Sequence, residues 1–269
     1  MFEIGFLGGG NMARAIAAGL VASGFDPRSV TVMDRHEEKR RALEESYGVR
    51  TEEKLGPWIE KCSLVVLAVK PQGLKDVCEE AAPFVGKDAT VLSIAAAVPA
   101  ASIAGWIGSE HVIRAMPNTP ATVRKGLTGL FAALGARDAD RERAESVMRT
   151  VGRALWVDDE AKIHLVTAGP GSGPAYVFLF MQVLSEALQA EGLAKAEADE
   201  FALSTVEGAA ALARESGEDF EALRRSVTSK GGTTAKAIEV LEAHDLAGAV
   251  REAVRACRAR SEEMSTLFG

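Results

Sequence analysis

Short, largely apolar β-rich runs of four to six residues recur through the first 157 residues, at 3–7, 30–33, 64–69, 90–94, 112–116, 127–132 and 154–157. Between them lie segments of helical character at 11–23, 37–45 and 138–151. The first pattern predicts strands and the second predicts helices. Leu64-Val65-Val66-Leu67-Ala68-Val69 has no polar member, so this strand is expected to be covered on both faces, as in a parallel sheet flanked by helices. Asp138 stands where it can cap the helix it opens. The alternation predicts an α/β domain with right-handed crossovers.

Beyond Trp156-Val157-Asp158-Asp159 the strand signals stop, and alanine-rich helical patterns continue, broken at Gly171-Ser172-Gly173-Pro174, Gly192, Gly217 and Gly231-Gly232. The expected division is a first domain over 1–158 and an all-helical one over 159–269. A helix opening near Pro174, where a missing N–H costs nothing, has Gln182 as the only strongly polar residue of 175–184. A helix apolar all round needs cover that a small helical domain cannot supply alone, so a partner subunit and a homo-oligomer are expected.

Composition narrows the class. With 47% hydrophobic and 26% charged residues among 269, the chain can build its own core and is not disordered. Cys62, Cys78 and Cys257 form no C-x-x-C pair, so neither a disulfide framework nor a metal site is expected. A net charge of −7 leaves no general excess of cations for a phosphate backbone, so nucleic acid is not an expected partner. The N-terminal stretch shows no basic segment followed by a long apolar run, and no window reaches the roughly 18 apolar residues of a membrane span. A cytoplasmic protein without a membrane partner is expected.

Gly8-Gly9-Gly10-Asn11-Met12-Ala13 follows the first strand and opens a helix, the context that gives a G-x-G-x-x-A turn its meaning. Gly8 permits the tight turn, Gly10 leaves room for a diphosphate on the free N–H groups of the helix start, and Ala13 lets helix and strand pack closely. A Rossmann-type dinucleotide site is therefore expected. At the end of the second strand, Asp34 would accept bonds from a ribose 2′-hydroxyl and favour NAD(H). Arg35, helped by Lys39 or Arg40, would hold the 2′-phosphate of NADP(H), which is slightly favoured. Three further segments leave strand ends where a ligand crevice forms: Ala68-Val69-Lys70-Pro71-Gln72, Ser93-Ile94-Ala95-Ala96-Ala97-Val98 and Arg114-Ala115-Met116-Pro117-Asn118-Thr119-Pro120. Ala68, Val69, Lys70, Pro71, Ala95, Ala96 and Asn118 are the cofactor candidates there.

Together with Gly171-Ser172-Gly173-Pro174-Ala175-Tyr176 and Gly231-Gly232-Thr233-Thr234, these segments resemble pyrroline-5-carboxylate reductase over essentially the whole chain. The resemblance implies NAD(P)H-dependent reduction of the cyclic imine 1-pyrroline-5-carboxylate to L-proline, the last step of proline biosynthesis. It also implies an active site shared between domains of a homodimer, and dimers that build larger rings. Two places depart from the family: Gly169-Pro170 stands where Leu-Ser is usual, and Lys230 where proline is usual.

Such a substrate needs its carboxylate anchored, and Gly231 and Gly232 offer backbone amides ahead of a helix near Thr233, with the Ser229 and Thr233 hydroxyls beside them. Thr234 matches the family's active-site threonine and could donate to the imine nitrogen. His36, His111 and His244 read as surface or capping residues, while His164 lies one helical stretch before the glycine-rich loop. The alternatives are a reductase of a related cyclic imine or of a 3-hydroxyacid, or a non-catalytic dinucleotide sensor.

Overall fold

The computed structural model describes residues 2–268. Its strands are β1 (Ile4–Leu7), β2 (Val30–Met33), β3 (Arg50–Glu52), β4 (Leu64–Leu67), β5 (Thr90–Ser93), β6 (Val112–Met116), β7 (Gly126–Ala132) and β8 (Gly152–Trp156). The helices are α1 (Asn11–Ala22), α2 (Glu37–Tyr47), α3 (Leu74–Ala81), α4 (Ala100–Ile107), α5 (Asp138–Met148), α6 (Lys162–Val166), α7 (Gly173–Ala190), α8 (Lys195–Ser216), α9 (Phe220–Ser226), α10 (Thr233–Ala243) and α11 (Leu246–Phe268).

The strands form one sheet in the order β3-β2-β1-β4-β5-β6-β7-β8. Every pair is parallel except β6 with β7. Period-two geometry sends alternate side chains to opposite faces. Ile4, Phe6, Leu64 and Val66 enter one apolar cluster, while Leu7, Val65 and Leu67 enter the other. Both faces are dry, as the unbroken apolar run at 64–69 predicts. Each such side chain contributes about 1.5–3 kcal/mol on burial. The chain winds from β1 out to β3, then returns to place β4 on the other side of β1. That reversal is the switch point where a doubly wound sheet opens its ligand crevice.

Two local expectations are corrected. Asp138 does not cap α5; Arg137 is the cap residue, and its N–H donates to Asp140 Oδ2 at 2.9 Å. Asp140 is fully buried and also accepts from Thr90 Oγ1 at 2.6 Å and Arg137 Nε at 3.1 Å. The second correction is β3, an added edge strand whose Arg-Thr-Glu sequence has no apolar signal.

The described residues divide into two compact units: the chain up to Ser172 with the segment from Cys257 onward, and Gly173–Ala256. The first unit extends past residue 158 because α6 and the turn after it lie against the sheet. A Cβ on Gly129 of β7 would come within 2.5 Å of Val166. That turn, Thr167–Gly171, is a π-turn closed by Ser172 N–H donating to Thr167 O at 2.8 Å, and Pro170 sits inside it. A proline has no N–H to offer and crowds the carbonyl four residues back, and a widened turn relieves both problems.

In the second unit, α7 and α8 are joined by Ser185 Oγ donating to Asp199 Oδ1 at 2.6 Å. Among its described residues only Ser185, Ala198, Ala202 and Gly248 are buried. The apolar residues of α7 remain outside, with Phe178 62% and Leu179 59% exposed.

Candidate active site

The chain brings the phosphate turn together as its spacing predicts. Gly8 sits at φ +109°, and a Cβ there would lie 2.8 Å from Ala68 O. Only glycine meets both demands. Around Gly10 a Cβ would meet nothing closer than 4.0 Å, so this face is open to a ligand. Gly10 is also the N-cap of α1 and supplies no side-chain cap. The first amides of α1 therefore point at the space where a diphosphate is best held. Asn11 is exposed there, and Met12 packs partly onto the core. These residues fit a dinucleotide.

Asp34 is 8% exposed, and its carboxylate is occupied by the chain's own donors. Oδ2 accepts from Gly9 N–H at 3.1 Å, and Oδ1 from His36 N–H at 2.9 Å and His36 Nδ1 at 2.7 Å. Lys39 Nζ lies 3.6 Å from Oδ2. Three hydrogen bonds and an ion pair use most of the roughly four lone-pair directions of a carboxylate. Burial pushes the Asp34 pKa up, but the His36 and Gly9 bonds and the Lys39 charge outweigh it and hold the carboxyl below its ordinary range. Arg40 Nη1 donates to Asp34 O at 2.8 Å, which leaves Arg35 as the exposed cation at the strand end. Arg35 and His36 line a cavity of about 300 Å³ with Gly8, Met33, Leu55 and Val77.

The other strand ends on this side are β4, β5 and β6. Ala68 N–H bonds to Leu7 O at 2.9 Å, and Val69 lines the cavity. Lys70 is exposed, and Pro71 opens a short 3-10 turn into α3. After β5, Ala95 is buried, Ala96 is partly exposed, and Ala97 takes a left-handed φ of +63°. Asn118 is buried, and its carboxamide ties loops together: Nδ2 donates to Pro170 O and Oδ1 accepts from Leu127 N–H, each at 2.9 Å. It thereby orders the crevice wall and the π-turn at once.

In the second unit, Gly231 has φ +73° and Gly232 is the N-cap of α10 without a side-chain cap. Gly232 N–H bonds back to Ser229 O at 3.0 Å, closing a tight turn. A Cβ on Gly232 would fall 2.4 Å from Ser229 Oγ, so that hydroxyl stands directly against the helix start. Thr233 is exposed, Thr234 is half-buried, and Lys230 is exposed. Uncapped first-turn amides, the helix dipole and two hydroxyls make an anion seat of the kind a small carboxylate fits.

Sequence reading missed a charged cluster beside β5 and β6. Glu160 Oε1 accepts from Ala100 N–H and from Arg114 Nη1, both at 2.7 Å. His164 Nδ1 pairs with Ser261 Oγ at 2.8 Å. Burial lowers the His164 pKa, with Arg114 acting in the same direction. Burial also pushes the Cys62 and Cys78 thiols up to about 12, so neither is a ready nucleophile. Among the described residues no cluster of His, Cys, Asp and Glu could hold a metal ion.

Comparison with known proteins gives these features a family. A profile for pyrroline-5-carboxylate reductase dimerisation matches residues 160–264, and one described as NADP oxidoreductase, coenzyme F420-dependent, matches residues 3–97. The pyrroline-5-carboxylate reductase of Pseudomonas aeruginosa is 39% identical over 99% of this chain and 98% of its own. That of Escherichia coli is 37% identical over 98% of each. A solved pyrroline-5-carboxylate reductase from Coxiella burnetii superposes with a TM-score of 0.94 at 42% identity, covering 98% of both chains. With both units spanned at such identity, the chain belongs to the pyrroline-5-carboxylate reductase family.

Proposed function

We infer that the protein reduces 1-pyrroline-5-carboxylate to L-proline with a reduced nicotinamide dinucleotide. The carrying observation is the uncapped, glycine-flanked start of α10 in a chain whose whole length matches reductases of this name. When bound, the dinucleotide supplies the hydride that turns the ring C=N into CH–NH.

The rest is the work of this chain. Gly8, Gly9, Gly10, Asn11 and Met12 offer the turn and helix start that hold the diphosphate. Ala68, Val69, Lys70, Pro71, Ala95, Ala96 and Asn118 shape the crevice beyond the switch point. The amides at Gly231 and Thr233, with the Ser229 hydroxyl, hold the substrate carboxylate and so fix the ring's orientation, while Gly232, its N–H closed onto Ser229 O, shapes the seat. Thr234 places its hydroxyl at the ring nitrogen, donating to the neutral imine or accepting from the N–H of the iminium form. It does not titrate near neutrality, so the added proton arrives with the iminium form of the substrate or from water. Orientation of this kind can contribute about 7–11 kcal/mol in favourable cases, which is why the reading requires no triad or metal.

NADP(H) is the preferred cofactor in this reading, since Asp34 is committed to Gly9 and His36 while Arg35 is exposed; NAD(H) remains usable. Two copies pair through the apolar face of α7, and dimers assemble further into rings. The functional boundary lies near residue 158, supported by the family match that begins at residue 160. Among the described residues no helix is long and apolar enough to cross a membrane. A cytoplasmic location is supported by three free cysteines and by the need for a reduced dinucleotide.

The test is an assay of the purified protein with pyrroline-5-carboxylate and with its six-membered analogue, each with NADPH and NADH. Proline formation, fastest with the five-membered ring and NADPH, supports the reading. Turnover of only the six-membered ring, or of neither, rejects it.

A further inference from the structure

We propose that Glu160 is a positioning residue that sets the backbone of the loop between β5 and α4 and so fixes how the nicotinamide end of the dinucleotide is held. The inference rests on the dinucleotide reading above. The switch point lies between β1 and β4, so the adenosine half belongs on the β2 side and the nicotinamide half on the side of β4 and β5.

The loop in question, 94–99, has a secured entrance. Ile94 N–H bonds to Leu67 O at 3.1 Å, and Ala95 N–H bonds to Ser93 Oγ at 3.3 Å. In its middle, Ala97 is buried at φ +63°, a left-handed conformation that an alanine keeps only when its surroundings impose it. At the exit, Pro99 caps α4 without a side-chain bond, because a proline ring carries no polar group. The first N–H of α4, on Ala100, is instead met by Glu160 Oε1 at 2.7 Å, from sixty residues further along the chain.

A carboxylate at a helix N-terminus interacts favourably with both the amide and the dipole. The same oxygen accepts from Arg114 Nη1 at 2.7 Å, and the Arg114 side chain is only 4% exposed on β6. Arg114 stands opposite Ser93 in the sheet register, so the anchor of Glu160 is itself fixed to the strand from which the loop departs. One oxygen therefore ties the far end of a strained loop to the strand beside its near end. Freed of that tie, Ala97 would relax toward an ordinary φ and carry Ala95 and Ala96 with it.

The experiment is titration of NADPH fluorescence, with no substrate present, against the wild-type protein, Glu160→Asp and Glu160→Gln. A parallel titration uses 2′-phospho-ADP-ribose, which lacks the nicotinamide. Aspartate keeps the charge opposite Arg114 but is one methylene too short to reach both donors, whereas glutamine keeps the acceptor at full length. The proposal expects Glu160→Asp to bind NADPH about 10-fold more weakly, with the fragment changed less than about 2-fold and Glu160→Gln within about 3-fold of wild type. Wild-type NADPH affinity in Glu160→Asp overturns it. So does equal weakening of NADPH and fragment, which would mark general destabilisation, and so does a glutamine variant as weak as the aspartate one. A wild-type protein that binds no NADPH would overturn the dinucleotide reading and this inference with it, whereas the variant outcomes bear on Glu160 alone.

Discussion

Gly9 donates its backbone N–H to Asp34 Oδ2 at 3.1 Å, and this bond joins the phosphate turn to the end of β2. In this chain the acid at that strand end braces the glycine turn, with His36 filling its other oxygen. Cofactor choice then passes to the exposed cation next door. Arg35→Ala is expected to lower NADPH affinity by about 10-fold while leaving NADH within about 2-fold, the loss of one charge-assisted bond to phosphate. Asp34→Ala is expected to weaken both cofactors, because it releases the turn. Separate NADPH and NADH titrations check this, and an unchanged affinity ratio in Arg35→Ala would count against it.

Thr234→Ala is expected to depress turnover on the order of 10- to 100-fold, the worth of a hydrogen bond to a charged group. Cofactor affinity should stay at the wild-type level, since α10 holds none of the residues assigned to the dinucleotide. Steady-state kinetics beside a cofactor titration separates the two quantities. Full turnover in the variant would remove the hydroxyl from the mechanism.

Phe178 is 62% exposed on an apolar helix, an arrangement that self-association would cover. Phe178→Glu would place an uncompensated charge in that interface, at a cost of about 2 kcal/mol or more. Light scattering across a dilution series should show the wild type at dimer mass or above and the variant shifted to monomer. A variant of wild-type mass would place the interface elsewhere.

His164 has a pKa lowered by burial, with Arg114 adding to the effect. The unfolded chain then takes up a proton first as pH falls, so the neutral ring contributes stability above its unfolded pKa of about 6.5. That stability declines as pH drops from there toward the folded value. Asp34 and Asp140 have lowered pKa values, so their stability is lost only below the ordinary carboxylate range. Urea midpoints at pH 7.5 and 5.5 therefore lie above the range of these carboxylates, and comparison with a His164 variant separates its share from that of the other histidines. His164→Gln, which can still bond Ser261, should show a smaller fall between these pH values than the wild type.

Much of this fold is legible because dry strands write themselves as largely apolar runs. Seven strands are signalled by short β-rich runs, of which 64–69 is unbroken, and β3 is missed because Arg50, Thr51 and Glu52 form an edge with no apolar face. The phosphate turn is legible because Gly8 meets a local backbone demand. What the sequence conceals are pairings set by tertiary contact. Glu160 lies 46 residues from Arg114 and 60 from Ala100, and no periodicity links them. The commitment of Asp34 to His36 is local, yet it needs the ring's orientation to be seen. Pro170 shows in the sequence only as a departure from the family, and the π-turn that holds it is seen only in the structure.

The most direct test of the central claim is the fate of label from NADPH deuterated on its transferable C4 position, incubated with the protein and pyrroline-5-carboxylate. Reduction of the ring C=N predicts L-proline carrying one deuterium at C5, read by proton NMR or mass spectrometry. Proline without label, or consumption of NADPH without proline, would contradict it.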